Sequence, residues 1–390
     1  MSRRAARAVR DSYERLPYPK LSRAELRRPP WRLAPLDWIE AVGQPAVWPP
    51  RRILVAGCGT GLEAFALRRR FPRAEIVGID FSAQSIRRAR QLQRQVKGGR
   101  DLRFLRADLL DAGLTKRTGG EFDMISCHGV MSYVPELGRA LRHLAACLAG
   151  RGVLCLGVNG REHFSRRWRP FLSAFGLEVD RWKGGREVTQ TLGLAEALSA
   201  AEGEVVKHGP TYLSSDLFVP IMHHLPLGRW LRIARQAGLH LRGSYETERS
   251  LRPAINRDLC DSFLPRSRGQ VAEVIDTLLP GAFYRFLFTR EPETVPPWDD
   301  LSALLRWRPV RTNYFGRIKW PARRGAPLRL QNRQANLSVE IRGQDWEIEL
   351  LRASDGARAV RDIVSGFAPA TIRQQLYRFY LLDLLNFRGP

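Results

Sequence analysis

The chain has 390 residues, enough for two or three domains, and its 44% hydrophobic content excludes a disordered protein. Lysine and arginine total 64 against 39 acidic residues, a formal charge of +25. Nearly all of the positive residues are arginine, a uniform bias of the kind genome composition produces, so it leaves room for an acidic partner without selecting one.

No apolar run approaches the ~20 residues of a membrane span. The basic segment Met1 to Arg10 lacks the apolar core of a secretory signal. The five cysteines, Cys58, Cys127, Cys147, Cys155 and Cys260, show no CxxC pair and no metal-ligand spacing. The expectation is a reduced, cytoplasmic protein without a metal site, with Cys147 and Cys155 acting as small buried hydrophobes.

Residues 1–50 read as a preface. Arg4 to Glu14 has helical character, and Pro17 and Pro19 then hold the chain extended. Tyr13 and Tyr18 in that segment suit a strap across a pocket, or one that merely packs. From residue 51 to about 160 strands and helices alternate. The strands are Ile53–Ala56, Glu75–Asp80, Leu102–Leu105, Phe122–Cys127 and Val153–Val158. Helices are expected over Glu63–Arg70, from Ser82 to about Gln95, and over Leu137–Leu148, the last closed by Gly150-Arg-Gly152. This alternation predicts an α/β fold, a Rossmann-like parallel sheet with helices on both faces and ligands beyond the carboxyl ends of the strands.

Residues 161–290 are expected to hold a helical acceptor region and late strands that complete the sheet. Helices are read at Phe164–Phe175, Leu192–Ala201, Leu227–Ala237 and Gln270–Leu279, and strands at Gly238–Gly243 and Ala282–Thr289. The three prolines of Glu291–Trp298 suggest a linker. Residues 291–390 read as a small α+β, winged-helix-like domain. Its strands are placed at Leu328–Leu330, Leu337–Ile341 and Trp346–Leu350, and its helices at Ala359–Ser365 and Thr371–Leu385.

The chemistry concentrates at three strand ends. Gly57-Cys58-Gly59-Thr60-Gly61 is a backbone cradle between the first strand and the next helix. Asp80 ends the second strand, where a carboxylate can accept from both hydroxyls of a ribose. Asp108 follows the third strand, where it can accept from an adenine amine. Together they describe a site for an adenosine-bearing ligand. The glycine spacing departs from the dinucleotide fingerprint, and no P-loop lysine follows.

These residues resemble the class I S-adenosylmethionine (SAM)-dependent methyltransferases. Tyr13–Pro19 ahead of the glycines and His128-Gly-Val-Met-Ser-Tyr-Val-Pro-Glu136 after the fourth strand are similar to a bacterial branch whose members occur with tetratricopeptide repeats or a methyltransferase regulatory domain, some resembling protein-lysine methyltransferases. The resemblance implies SAM as cofactor and a binding set of Tyr13, Tyr18, Gly57, Cys58, Gly59, Gly61, Asp80, Phe81, Asp108, Leu109 and His128. It also implies methyl transfer to a nitrogen or oxygen acceptor, whether a protein side chain or a small molecule. One position departs from it: the first strand carries Val55 where the family often has an acid.

Methyl transfer from a sulfonium needs alignment more than covalent assistance. His128 is the candidate base, set against the more common fate of a lone histidine, a structural hydrogen bond. Tyr133 either lines the acceptor pocket or packs. His223-His224 has no acid spacing for a metal and reads as packing. The alternative reading is a SAM-binding regulatory module in which the C-terminal part, with Arg352, Arg358 and Arg361, binds nucleic acid or protein. The basic residues are spread along the whole chain, which favours a solvated surface over a nucleic-acid patch. A homo-oligomer is compatible with either.

Overall fold

The protein is described by a computed structural model covering residues 3–15, 17–19, 21, 36–95, 101–177, 216–247, 261–321, 323, 325–332, 337–341, 345–364 and 368–390. The strands are β1 (Arg52–Ala56), β2 (Glu75–Asp80), β3 (Leu102–Arg106), β4 (Phe122–His128), β5 (Leu148–Asn159), β6 (His240–Ser244) and β7 (Phe283–Thr289). They follow the order β3-β2-β1-β4-β5-β7-β6 in one sheet. β1 pairs parallel with β2 and β4, β2 with β3, and β4 with β5, while β6 and β7 are antiparallel. The sheet is therefore mostly parallel, as the alternation of strands and helices requires.

Two compact units partition the chain. The first draws on residues 1–33, 46–239 and 280–285. Its centre is β1, where Ile53, Leu54, Val55 and Ala56 are all buried, as expected for a strand with helices on both faces. Helix Leu62–Arg70 follows the glycines and buries Phe65 and Leu67. Helix Ala83–Gln93 starts at Ser82, whose hydroxyl accepts from the Ser85 N–H at 3.1 Å. One expectation is corrected here. The helix that begins at Leu137 stops at Ala146, and Leu148 already belongs to β5, a twelve-residue strand. Gly150-Arg-Gly152 thus lies inside the strand. A β-carbon on Gly152 would stand 2.8 Å from the Phe122 carbonyl oxygen, so this glycine lets the two strands close up rather than ending a helix.

The second unit draws on residues 34–45, 240–279 and 286–390. It adds β8 (Arg308–Arg311), β9 (Leu328–Asn332), β10 (Leu337–Ile341) and β11 (Leu385–Arg388) as two antiparallel pairs, β9–β10 and β8–β11. Trp298, expected in a linker, is buried against the rings of Tyr377, Tyr380 and Phe387, with centroids 5.0, 5.3 and 5.3 Å away. The expected strand Trp346–Leu350 is instead part of helix Asp345–Ala353. Glu347, Ile348, Leu350 and Leu351 are its buried side chains, a helical stripe rather than an alternation. The helix placed at Thr371–Leu385 runs from Pro369 to Leu381. Asp383, at φ 58°, then turns the chain into β11. The helix placed at Ala359–Ser365 is a short one, Val360–Ile363. The helix expected at Leu192–Ala201 lies outside the described residues.

Candidate functional site

β1 ends in a loop that only glycine can build. Gly57, Gly59 and Gly61 have φ of 72°, 53° and 98°, the left-handed region that side chains with a β-carbon avoid. Space excludes larger residues as well. A β-carbon on Gly57 would lie 2.3 Å from the Val130 side chain, and one on Gly59 would lie 2.1 Å from the Tyr18 carbonyl oxygen. That oxygen accepts the Thr60 N–H at 3.1 Å, and the Thr60 hydroxyl donates to the Pro19 carbonyl at 2.6 Å. The Tyr18-Pro19 backbone is thus a strap fastened to the glycine loop.

Asp80 terminates β2 beside that loop, half-buried. One carboxylate oxygen accepts the Gly59 N–H at 2.9 Å and the other the Ser82 N–H at 2.8 Å. Each oxygen keeps further acceptor capacity. Burial pushes its carboxyl up to about 6, against the pull of those two bonds and with help from the charges of Glu14 and Asp108. Asp108 follows β3, with one oxygen on the Leu110 N–H at 2.9 Å and the other 2.7 Å from Arg10. Both members of that ion pair are substantially exposed, so it contributes ~1 kcal/mol at most and leaves the carboxylate open to exchange.

The N-terminal helix Arg3–Arg15 carries Tyr13 to the same place. Glu14 fixes it there. Its carboxylate accepts the Ala83 and Gln84 N–H groups at 2.7 and 2.9 Å, at the positive end of helix Ala83–Gln93. Burial works against the Glu14 charge, but these bonds, led by the one from Gln84, outweigh it and hold the carboxyl below its ordinary value. The Tyr13 ring meets Phe81 edge-on at 5.8 Å and Tyr133 at 6.5 Å. Burial, followed by the charges of Asp216 and Asp80, raises its phenol far above the ordinary range. Leu109 is buried, and its carbonyl is 2.8 Å from His143 Nδ1.

Past β4, the His128 ring lies over Gly157, where a β-carbon would stand 2.4 Å from Nδ1, and leans on Phe283 at 5.1 Å. Tyr133 is buried, and its hydroxyl donates to the equally buried Asp216. Burial, then the Asp216 charge, raises the Tyr133 phenol well above its usual value, so it remains a hydrogen-bond donor at neutral pH. Tyr13, Tyr133, Asp216 and Phe81 therefore gather beside Asp80. The two adjacent histidines serve packing, His223 against the Val134 carbonyl at 2.9 Å and His224 against the Ser165 hydroxyl at 2.7 Å. Cys58 and Cys127 are buried thiols whose ionisation burial opposes.

The structure thus assembles the glycines, Asp80, Phe81, Tyr13 and Tyr18 around one set of strand ends, with Asp108, Leu109, His128 and Tyr133 at neighbouring ends. Sequence reasoning missed Glu14, Arg10, Asp216 and Glu63. Glu14 carried one usable signal, adjacency to Tyr13. Asp216 carried none, since its partner Tyr133 is remote in sequence. The cradle with no room for β-carbons and an acceptor carboxylate beside it fits the nucleoside and amino-acid parts of SAM.

Comparison with known proteins agrees. Residues 54–154 match the family described as a methyltransferase domain. An uncharacterized Synechococcus protein is 28% identical over 70% of this chain and 67% of its own length. The trans-aconitate 2-methyltransferase of Deinococcus radiodurans is 30% identical over 35% of this chain, which spans 48% of that enzyme. Among solved structures, PKMT2 from Rickettsia typhi in complex with AdoHcy shares the fold at a TM-score of 0.53. The alignment covers 90% of this chain and 75% of that one at 13% identity.

Proposed function

Because this chain carries a class I SAM-dependent methyltransferase domain and is a transferase with SAM as its cofactor, we propose that it methylates a nitrogen or oxygen atom of a protein side chain, in the manner of the protein-lysine-methyltransferase-like branch it resembles. The single observation that carries this reading is the joining of the Gly57–Gly61 cradle and Asp80 to the Tyr13–Tyr133–Asp216 group.

When bound, the cofactor supplies a sulfonium-activated methyl group. In this reading Asp80 accepts the ribose hydroxyls, and Asp108 exchanges Arg10 for the adenine amine. Tyr18, Phe81 and Leu109 complete the walls, with Cys58 within the cradle. The Tyr133 hydroxyl, held by Asp216, and the Tyr13 ring exclude water and align the acceptor, which is the main catalytic demand of such a displacement. His128 takes the acceptor proton. Residues 161–290 supply the acceptor pocket. Residues 291–390 act as a winged-helix-like recognition module, a reading supported by their short antiparallel pairs and helices. A reduced cytoplasmic setting suits the free thiols of Cys58, Cys127, Cys147 and Cys155. No helix among the described residues is long and apolar enough to cross a membrane.

The test is transfer of tritiated methyl from SAM into fractions of a bacterial lysate. Label in protein, retained through acid precipitation, supports the reading. Label confined to small molecules sinks the protein-acceptor part, and no label anywhere while SAM is bound favours a regulatory role.

A further inference from the structure

β1 carries Val55 at the place where the family often has an acid, and Val55 is buried among neighbours. Its partner across the β1–β4 ladder is Ser126. Parallel partners in register point their side chains to the same face of the sheet. The Ser126 hydroxyl donates to the Oε1 of Glu63, from the first turn of helix Leu62–Arg70 just past Gly61. A carboxylate thus arrives from the helix beside the position the strand leaves apolar. As a residue Glu63 is half-buried.

The strand ends fix which part of a ligand lies there. Asp108 follows β3, Asp80 ends β2, the cradle ends β1, and Ser126 lies near the end of β4. A ligand with adenine and ribose at the first two reaches β1 and β4 with its amino-acid end. That end bears a cationic α-ammonium group, a three-fold donor with no acceptor.

We infer that Glu63 takes over the task of the absent first-strand acid and accepts a hydrogen bond from the α-ammonium group of the methionyl end of SAM. The inference rests on the cofactor assignment above and adds a residue to it. Burial pushes the Glu63 carboxyl up to about 7, against the pull of Ser126, so a cation drawn beside it also favours its ionised form. Glu63 is a binding and positioning residue here: holding the ammonium group sets the direction in which the methyl group faces.

The experiment is calorimetry of the full chain with three ligands: SAM, S-adenosylhomocysteine, and 5′-methylthioadenosine, which lacks the amino-acid end. Glu63→Gln is expected to weaken the first two by about tenfold to a hundredfold, the range of a charge-assisted hydrogen bond, and to leave 5′-methylthioadenosine unchanged. Ser126→Ala, which releases the carboxylate, should weaken the first two by a smaller factor with the same selectivity. Val55→Asp added to Glu63→Gln should restore part of the loss. Equal loss for all three ligands makes Glu63 a structural residue and overturns the inference. So does unchanged SAM affinity, and so does a loss confined to SAM, which would put the carboxylate at the sulfonium. Failure of the unaltered chain to bind any of the three would instead break the cofactor assignment itself.

Discussion

The two compact units use charged side chains away from open solvent in opposite ways. In the first, Asp80 sits at a strand end with one backbone N–H on each oxygen and acceptor capacity to spare, at the cost of a carboxyl raised to about 6. In the second, Arg268 is buried and fully engaged. It meets Glu293 at 3.0 Å, Asp383 at 3.1 Å, the Tyr380 and Leu385 carbonyls at 3.0 and 2.9 Å, and stacks 3.8 Å from the Tyr380 ring centre. A charge with remaining capacity is available to a ligand. One surrounded by partners holds the fold together and has nothing left to bind with. Functional and structural ion clusters are thus told apart by what each group still lacks.

The strongest test of this contrast is Gly59→Arg or Asp80→Ala. The first fills the cradle against the Tyr18 carbonyl and the second removes the proposed ribose acceptor. Each should lower SAM affinity more than about a hundredfold by calorimetry, since two hydrogen bonds to a charged group are worth ~3–6 kcal/mol. Arg268→Leu should do the reverse. It removes the guanidinium that Glu293 and Asp383 both face and costs about 3–5 kcal/mol in chemical denaturation, while SAM affinity measured well below the transition stays put. A loss of affinity in Arg268→Leu as large as in Asp80→Ala would erase the distinction between the units.

A subtler handle is pH. Asp80 is raised above the ordinary 3.8 to about 6, so it takes up a proton as pH falls through that value and loses its role as a pure acceptor. Measured in Glu63→Gln, which removes the other site carboxyl raised into this range, to about 7, SAM affinity should fall about tenfold between pH 7.5 and pH 5, bending near 6. The sign for stability is opposite. Between about 4 and 6 the folded protein holds more protons than the unfolded chain, so this group makes the ligand-free fold less stable as pH rises through the window. An affinity flat from pH 7.5 to 5 would show that the carboxylate is not the acceptor. The smallest expected effect is Glu14→Gln, worth about 1 kcal/mol as a lost charged cap. It should appear as faster proteolysis of the N-terminal helix, with global unfolding little changed.

Much of the first unit was legible in the sequence because its signals are local. Ile76, Val77 and Ile79 with a terminal Asp80 announce a buried strand, and β2 runs over the same residues that pattern marks. The cofactor loop declared itself through three glycines, and the structure shows each at positive φ. The second unit was less legible because its decisions are tertiary. Nothing near Asp383 says that a buried Arg268, remote in sequence, will hold it as the helix ends and β11 begins. Trp346, Ile348 and Leu350 alternate like a strand, and only the burial of Glu347 and Leu351 reveals the helical period. In the site itself, Asp216 and Glu63 were invisible for the same reason: each acts through a hydroxyl brought near by folding alone.

The Tyr18 carbonyl lies so close to Gly59 that strap and cradle are a single moulded object. The matched family region begins at residue 54, after the strap. A shortened protein cut to that region would keep the glycine motif but lose the backbone oxygen against which its loop is shaped. The structural support of this loop thus begins upstream of the stretch that matches the methyltransferase-domain family, and anyone transplanting the site into another scaffold must carry both pieces.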